Sequence, residues 1–172
     1  MSAQTHTINA APAVDRMSSE RDLVGSVLRT ESDGALLVLR VTLAGVLFPH
    51  GAQHLFGWFG GYGFVGTHEW MTATLGIPGA LATLGIVWEF FAPLALLAGV
   101  GGRIAALGIV GLMTVAAATH VEHGFFMNWF GTLSAGAEGF EFHLLAIAMA
   151  VAIVLRGSGA ASVDRILYGG RA

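Results

Sequence analysis

At 172 residues, with 55% hydrophobic and only 11% charged residues, the chain is too apolar for a soluble domain, where about a quarter of residues carry charge. A net charge of −3 argues against nucleic acid, which a binding protein meets with a basic patch. Cysteine is absent, which excludes disulfides, thiolate metal sites, iron–sulfur clusters and catalytic thiols, so any redox chemistry needs a bound cofactor, a quinone or a partner.

Residues 1–34 are polar and lack the apolar stretch of a signal peptide; they are expected in the cytoplasm. Around Leu23, Val24, Val27 and Leu28 the apolar spacing is helical, which predicts a short helix lying on the membrane surface, with a disordered tail as the alternative. Four apolar runs follow, at 35–56, 78–100, 102–122 and 140–156. Each is near the length of about 20 residues that crosses a bilayer core of roughly 30 Å. They read as helices, because open sheet edges do not exist in lipid and the strict alternation of a barrel strand is missing.

The first run begins after Asp33-Gly34 and carries Pro49 late. The second opens at Pro78, a favoured first-turn residue, and holds Pro93 inside. Gly99, Gly101 and Gly102 leave room only for a tight turn before the third run, so those two helices must be antiparallel neighbours. Small residues four apart (Ala95/Gly99, Ala146/Ala150, Ala148/Ala152) permit close helix approach. The expected fold is all-α: an integral membrane up-down four-helix bundle over 35–156, followed by a cytoplasmic tail at 157–172.

All eight cations are arginine, and they fall on one side of such a bundle. Arg16, Arg21, Arg29 and Arg40 precede or begin the first span, Arg103 marks the second turn, and Arg156, Arg165 and Arg171 follow the fourth. The connections at 57–77 and 123–139 contain none. Positive charge stays inside, so both termini are expected in the cytoplasm. The two external connections are rich in glycine and aromatics, at Gly57–Gly66 and Gly124–Gly131, and are expected to dip into the interface and cap the bundle. Trp58, Tyr62 and Trp70 either anchor at headgroup level or line a ligand.

The stretch His50-Gly51-Ala52-Gln53-His54-Leu55-Phe56-Gly57-Trp58-Phe59-Gly60-Gly61 resembles the HGxxKLFGxFGG signature of the DoxX family of small membrane proteins. Trp88-Glu89-Phe90, His120 through Gly124-Phe125-Phe126, Glu138 through Leu145, and the closing Gly157-Ser158-Gly159…Ser162-Val163-Asp164 match in kind and order. His54 departs from the pattern by standing where the family commonly has lysine. The resemblance implies a four-helix, multi-pass protein of the bacterial cytoplasmic (inner) membrane tied to redox metabolism. Relatives serve as subunits of a thiosulfate:quinone oxidoreductase or as membrane partners of detoxifying oxidoreductases.

The spans also hold ionisable groups, each costing at least about 2.5–3.5 kcal/mol near the bilayer centre. At about 100° per residue, Arg40, His50 and His54 form one stripe expected to face the interior. His50, His54, His120, His123, Glu141 and His143 fall in the external half. Glu89 lies near mid-membrane, within reach of Arg40, and those two are expected to pair.

Three readings follow. Arg40, His50, His54, Glu89, His120, Glu141 and His143 line a pocket for a quinone or small polar ligand, with histidine, which titrates near neutrality, passing protons. Alternatively His50, His54, His120 and His143 hold a transition metal or a haem. In the third reading all are interhelical hydrogen-bond glue, contributing about 0.6–2 kcal/mol per contact. No zinc-protease or nucleotide fingerprint is present, since His50/His54 lack the intervening glutamate and the glycines of 57–66 lack a strand–helix context. Transport by four spans would need a homo-oligomer. The expected function is a subunit of quinone-linked redox metabolism; the alternative is a non-enzymatic membrane anchor or scaffold for a partner oxidoreductase.

Overall fold

A computed structural model describes residues 24–131, 134 and 137–169 of the protein. Its helices in chain order are α1 (Gly34–Phe56), α2 (Gly63–Glu69), α3 (Gly79–Ala98), α4 (Gly102–His120), α5 (Glu141–Arg156) and α6 (Val163–Tyr168), with no strand among the described residues. Three helices are long and apolar enough to cross a membrane: α1, α3, and α4 with the 3-10 turn that extends it to His123. The fourth apolar run becomes α5, whose 16 residues rise only about 24 Å.

Helix ends follow from particular residues. Asp33 caps α1, its carboxylate accepting from Ala35 N at 2.8 Å and Leu36 N at 3.3 Å. Gly57 ends α1 and Gly99 ends α3, both in the left-handed region that a side chain disfavours (φ 74° and 65°). Gly101, with φ 57°, completes the tight α3–α4 turn that the glycines predict. The long helices pack in a closed ring, α1 on α3, α3 on α4, α4 on α5 and α5 on α1. Half of the central cluster is alanine (Ala44, Ala92, Ala105, Ala106, Ala146, Ala150), which lets the backbones approach; Leu43, Leu47, Leu96, Ile109, Met113 and Ile153 fill the remaining space.

One approach is closer than the rest. Pro93 lacks the N–H that would bond the Glu89 carbonyl within α3. At that carbonyl α1 presents Gly51, where a Cβ would overlap the Glu89 oxygen and the Phe90 Cα. This contact sets the register that brings His54, one turn further along α1, against Glu89.

Arg40 does not pair with Glu89. Its guanidinium is 1% exposed and spans four carbonyls: Nη1 donates to Leu96 O (2.6 Å) and Leu97 O (2.7 Å), Nη2 to Ala160 O (3.1 Å) and Ala161 O (2.5 Å). The last carbonyls of α3 have no helical partner and carry the negative end of its dipole, so they capture the cation; Glu89 lies two turns away toward the other end. Asp164 supplies the attraction of an opposite charge.

The segment after α5, expected to be a tail, folds into this same end instead. The Asp164 carboxylate is 4% exposed and accepts from Gly101 N (2.8 Å), Gly102 N (3.0 Å) and Ser158 Oγ (2.6 Å), so it caps α4 from 62 residues away. Ser162 caps α6 and donates to Gly159 O at 2.8 Å. Thr30 Oγ1 accepts from Gly159 N at 2.8 Å. Arg103 is used here as well, Nη1 donating to the carbonyls of Val27 and Arg29, both at 2.9 Å. Residues 24–28 form the helical turn expected there, with Val24 and Val27 exposed. Leu23, Arg16, Arg21 and Arg171 lie outside the described residues.

At the opposite end, the first glycine-aromatic connection contains more regular structure than its composition predicts. α2 continues into a π-helical turn at Trp70–Thr74. Trp58, Phe59 and Tyr62 are exposed, as interface anchors would be. The second connection is tied to the start of α5 by Gly139 N to Phe126 O (3.1 Å), Phe140 N to Gly124 O (3.2 Å) and Glu141 N to Phe125 O (3.0 Å).

Candidate functional site

Because α1 and α3 run antiparallel and touch at Gly51, His54 meets Glu89 inside the ring. His54 Nδ1 and Glu89 Oε2 form a hydrogen bond of 2.6 Å. Glu89 is 6% exposed. A histidine at the position where the pattern commonly has lysine thus finds a carboxylate partner, and its Nε2 remains for another contact.

This pair sits in the wall of a cavity of about 1090 Å³ bounded by α1, α3, α4, the start of α5 and the π-helical turn. Nearly half of the wall is leucine, isoleucine, methionine and tryptophan; the histidines gather toward the end opposite the α3–α4 turn. His50, His54, Glu89, His120 and His143 all reach it. His50 is exposed overall and stands at the rim, so the interior stripe expected on α1 is split: Arg40 buried at one end, His54 half-buried, His50 at the surface.

His120 and His143 form the second polar element. Their ring centroids lie 4.7 Å apart. His120 Nδ1 is 2.8 Å from the Ala116 carbonyl, so that nitrogen donates. His143 is 8% exposed and its Nδ1 has no hydrogen-bond partner among the described residues. A buried polar atom without a partner normally costs about 1–3 kcal/mol, and native structures keep few of them.

Two of the sequence candidates are placed elsewhere. Arg40 belongs to the carbonyl clamp at the far end. The Glu141 carboxylate accepts from Met127 N at 3.2 Å and from Trp129 Nε1, bracing the second connection, because its position in the first turn of α5 points it at that loop. His123 leans on Glu122 at 3.7 Å, outside the cavity. Trp70 lines the cavity, one of the two roles open to it from sequence; the lining residues that sequence reasoning missed include Met71, Trp88 and Glu138. Trp88 donates from Nε1 to Ala105 O at 3.3 Å and lies flat over Gly108, where a Cβ would collide with the indole. A tryptophan beside an intramembrane glutamate, opposite a helix carrying glycine, was the available signal for it.

The donor set does not fit the metal or haem reading. Among the described residues no three histidine, aspartate or glutamate side chains converge as ligands do. The His120 and His143 rings are in mutual contact, which leaves no space for an iron and its porphyrin between them. The arrangement suits hydrogen bonding and proton exchange with an apolar molecule that carries polar oxygens.

A family model described as DoxX matches residues 35–129. No curated protein and no solved structure matches the chain.

Proposed function

The chain belongs to the DoxX family of membrane proteins, and we propose that it binds a quinone in this cavity as a subunit of membrane redox metabolism. The observation that carries the reading is one largely apolar cavity whose wall holds both the His54–Glu89 pair and His143, with its unpartnered Nδ1. A quinone is a flat apolar ring with two carbonyl acceptors. It matches a largely apolar wall that offers imidazole groups. Reduction to the quinol takes two electrons and two protons. His54–Glu89 and His143 supply protons, and the electrons come from a partner oxidoreductase, since the chain has no redox-active side-chain centre of its own.

The accompanying topology is a multi-pass bundle in the bacterial cytoplasmic membrane, with α5 as the fourth crossing and both termini inside. Arg29, Arg40, Arg103 and Arg156 all belong to the end of the ring occupied by the α3–α4 turn, in keeping with retention of positive charge in the cytoplasm.

Tryptophans 70 and 88 line the cavity and report on it directly. Titration of detergent-purified protein with a short-chain quinone should quench their fluorescence saturably. His143→Ala and Glu89→Gln should each weaken binding about tenfold, the effect of losing one hydrogen bond of roughly 1.4 kcal/mol. Absence of saturable quenching sinks the quinone reading. The exposed aromatics Trp58, Phe59, Trp129 and Phe130 favour a second reading, a non-catalytic anchor for a partner oxidoreductase at the external face. In that case the cavity variants leave partner assembly and activity untouched.

A further inference from the structure

Arg103 stands in the first turn of α4, against the last turn of α5, and fastens the segment before α1 across both. Its Nε donates to Val154 O at 3.1 Å; Nη1 donates to Ser26 O at 3.2 Å and to Val27 O and Arg29 O at 2.9 Å. These carbonyls close two helical segments, the turn at 24–28 and α5. Such terminal carbonyls lack helical partners and carry the negative end of each dipole. Thr30 continues the strap, its Oγ1 donating to Arg156 O at 3.4 Å. Arg29, Arg103 and Arg156 therefore meet at one corner of the ring, where α4 begins and α5 ends.

The charge gathered there is not balanced. Arg40 is also held by carbonyls, but it is buried and has Asp164 to attract it. Among the described residues no carboxylate forms an ion pair with Arg103 or Arg29. Arg156 reaches Asp33 only at 3.9 Å, and that carboxylate is occupied by the first amides of α1. With Asp33 and the exposed Glu31 counted, the corner keeps a net positive charge. The side chains of Arg29 and Arg156 are both exposed.

The chain beside these cations is apolar and equally exposed. Val24 and Val27 lie about one helical turn apart on the strap, Ile104 follows Arg103, and Leu155 precedes Arg156. A site for a small soluble anion has no use for such neighbours. Guanidinium groups level with exposed aliphatic side chains, at the ends of membrane helices, suit a molecule whose phosphate is joined to hydrocarbon.

We propose that this corner binds the headgroup of an anionic phospholipid. Arg29 and Arg156 take the phosphate, and the acyl chains descend along Leu155 and Ile104. Arg103 is the positioning residue, since it ties the strap that carries Arg29 to the helix that carries Arg156. The site is separate from the cavity and stands whatever the cavity holds.

The test titrates the full-length protein in detergent with dioctanoyl phosphatidylglycerol and, separately, with dioctanoyl phosphatidylcholine, counting bound lipid by native mass spectrometry. The anionic lipid should bind about tenfold tighter. An arginine near an anionic surface contributes about 1 kcal/mol, so Arg29→Gln and Arg156→Gln should each weaken phosphatidylglycerol about fivefold and leave phosphatidylcholine unchanged. Circular dichroism melts of both variants without lipid should match the parent, because neither side chain is buried. Equal binding of the two lipids overturns the site, as do variants that keep the parent's preference. Inorganic phosphate that displaces phosphatidylglycerol at equal concentration would reveal an anion site blind to acyl chains, and overturns the lipid assignment.

Discussion

Replacing Asp164 with alanine should destabilise the protein more than any cap substitution at the surface. The carboxylate accepts three hydrogen bonds, from Gly101 N, Gly102 N and Ser158 Oγ at 2.6–3.0 Å, and is almost fully buried. Hydrogen bonds to a charged group contribute about 1.5–3 kcal/mol each, but three on one carboxylate do not add fully. Removing one member of a buried charged cluster costs about 3–5 kcal/mol, and loss of an anion from a helix N-terminus adds about 0.3–1 kcal/mol. About 4 kcal/mol is therefore expected for Asp164→Ala, and about half of that for Asp164→Asn, which keeps one acceptor oxygen. Asp33→Ala is the control, because Asp33 also caps a helix but is partly exposed and should cost about 1 kcal/mol. Thermal unfolding in detergent, followed by helical circular dichroism, reads the difference. At about 2–4 °C per kcal/mol for a chain of this size, Asp164→Ala should melt about 8–16 °C lower and Asp33→Ala about 2–4 °C lower. Equal shifts for the two variants would refute the reasoning, since the buried cap would then count for no more than the surface one.

Double-mutant cycles separate the two charge pairings considered for Glu89. His54→Ala and Glu89→Gln should couple by about 0.5–3 kcal/mol, whereas Arg40→Met and Glu89→Gln should add within about 0.5 kcal/mol; coupling in the second cycle would restore the pairing that the structure rejects. Gly51→Ala should cost about 1–3 kcal/mol by prising α1 from the Glu89 carbonyl, while Gly45→Ala, into open space, should be neutral or mildly stabilising on the same melting assay. A chain without native cysteine suits topology mapping by single replacements. Gly60→Cys and Phe130→Cys should react with an impermeant maleimide added outside intact cells and Ile166→Cys should not; the reverse pattern would invert the bundle.

The helices were legible because their determinants are local. Apolar runs of the right length end at Asp33, Gly57, Pro78, Gly99 and Gly157, and the structure breaks at or beside each. Residues 63–74 were not legible as helix, since glycine and aromatics read as loop chemistry and only packing over α1 and α3 makes the segment regular. The clustering of His50, His54, His120 and His143 at one end could be read from topology. Their division into a His54–Glu89 pair and a His120/His143 contact could not, because it depends on the axial register set by Gly51 and Pro93. Arg40 was misassigned for a plainer reason. Sequence shows side-chain charges, and the partners that won are backbone carbonyls, two of them in a segment that looks like a tail. Ser158, Ser162 and Asp164 were invisible for the same cause: small polar residues between glycines resemble a solvated end unless something buried is waiting for them.

The clamp on Arg40 has a consequence for biosynthesis. Two of its four acceptors, the carbonyls of Ala160 and Ala161, lie 120 and 121 residues downstream. At about 5–20 residues per second, a ribosome reaches them about 6–24 seconds after placing the arginine. Over that interval the first helix holds a cation for which two of its four final acceptors do not yet exist. A copy interrupted before residue 160 keeps all four apolar runs yet leaves that guanidinium with two of its four carbonyls.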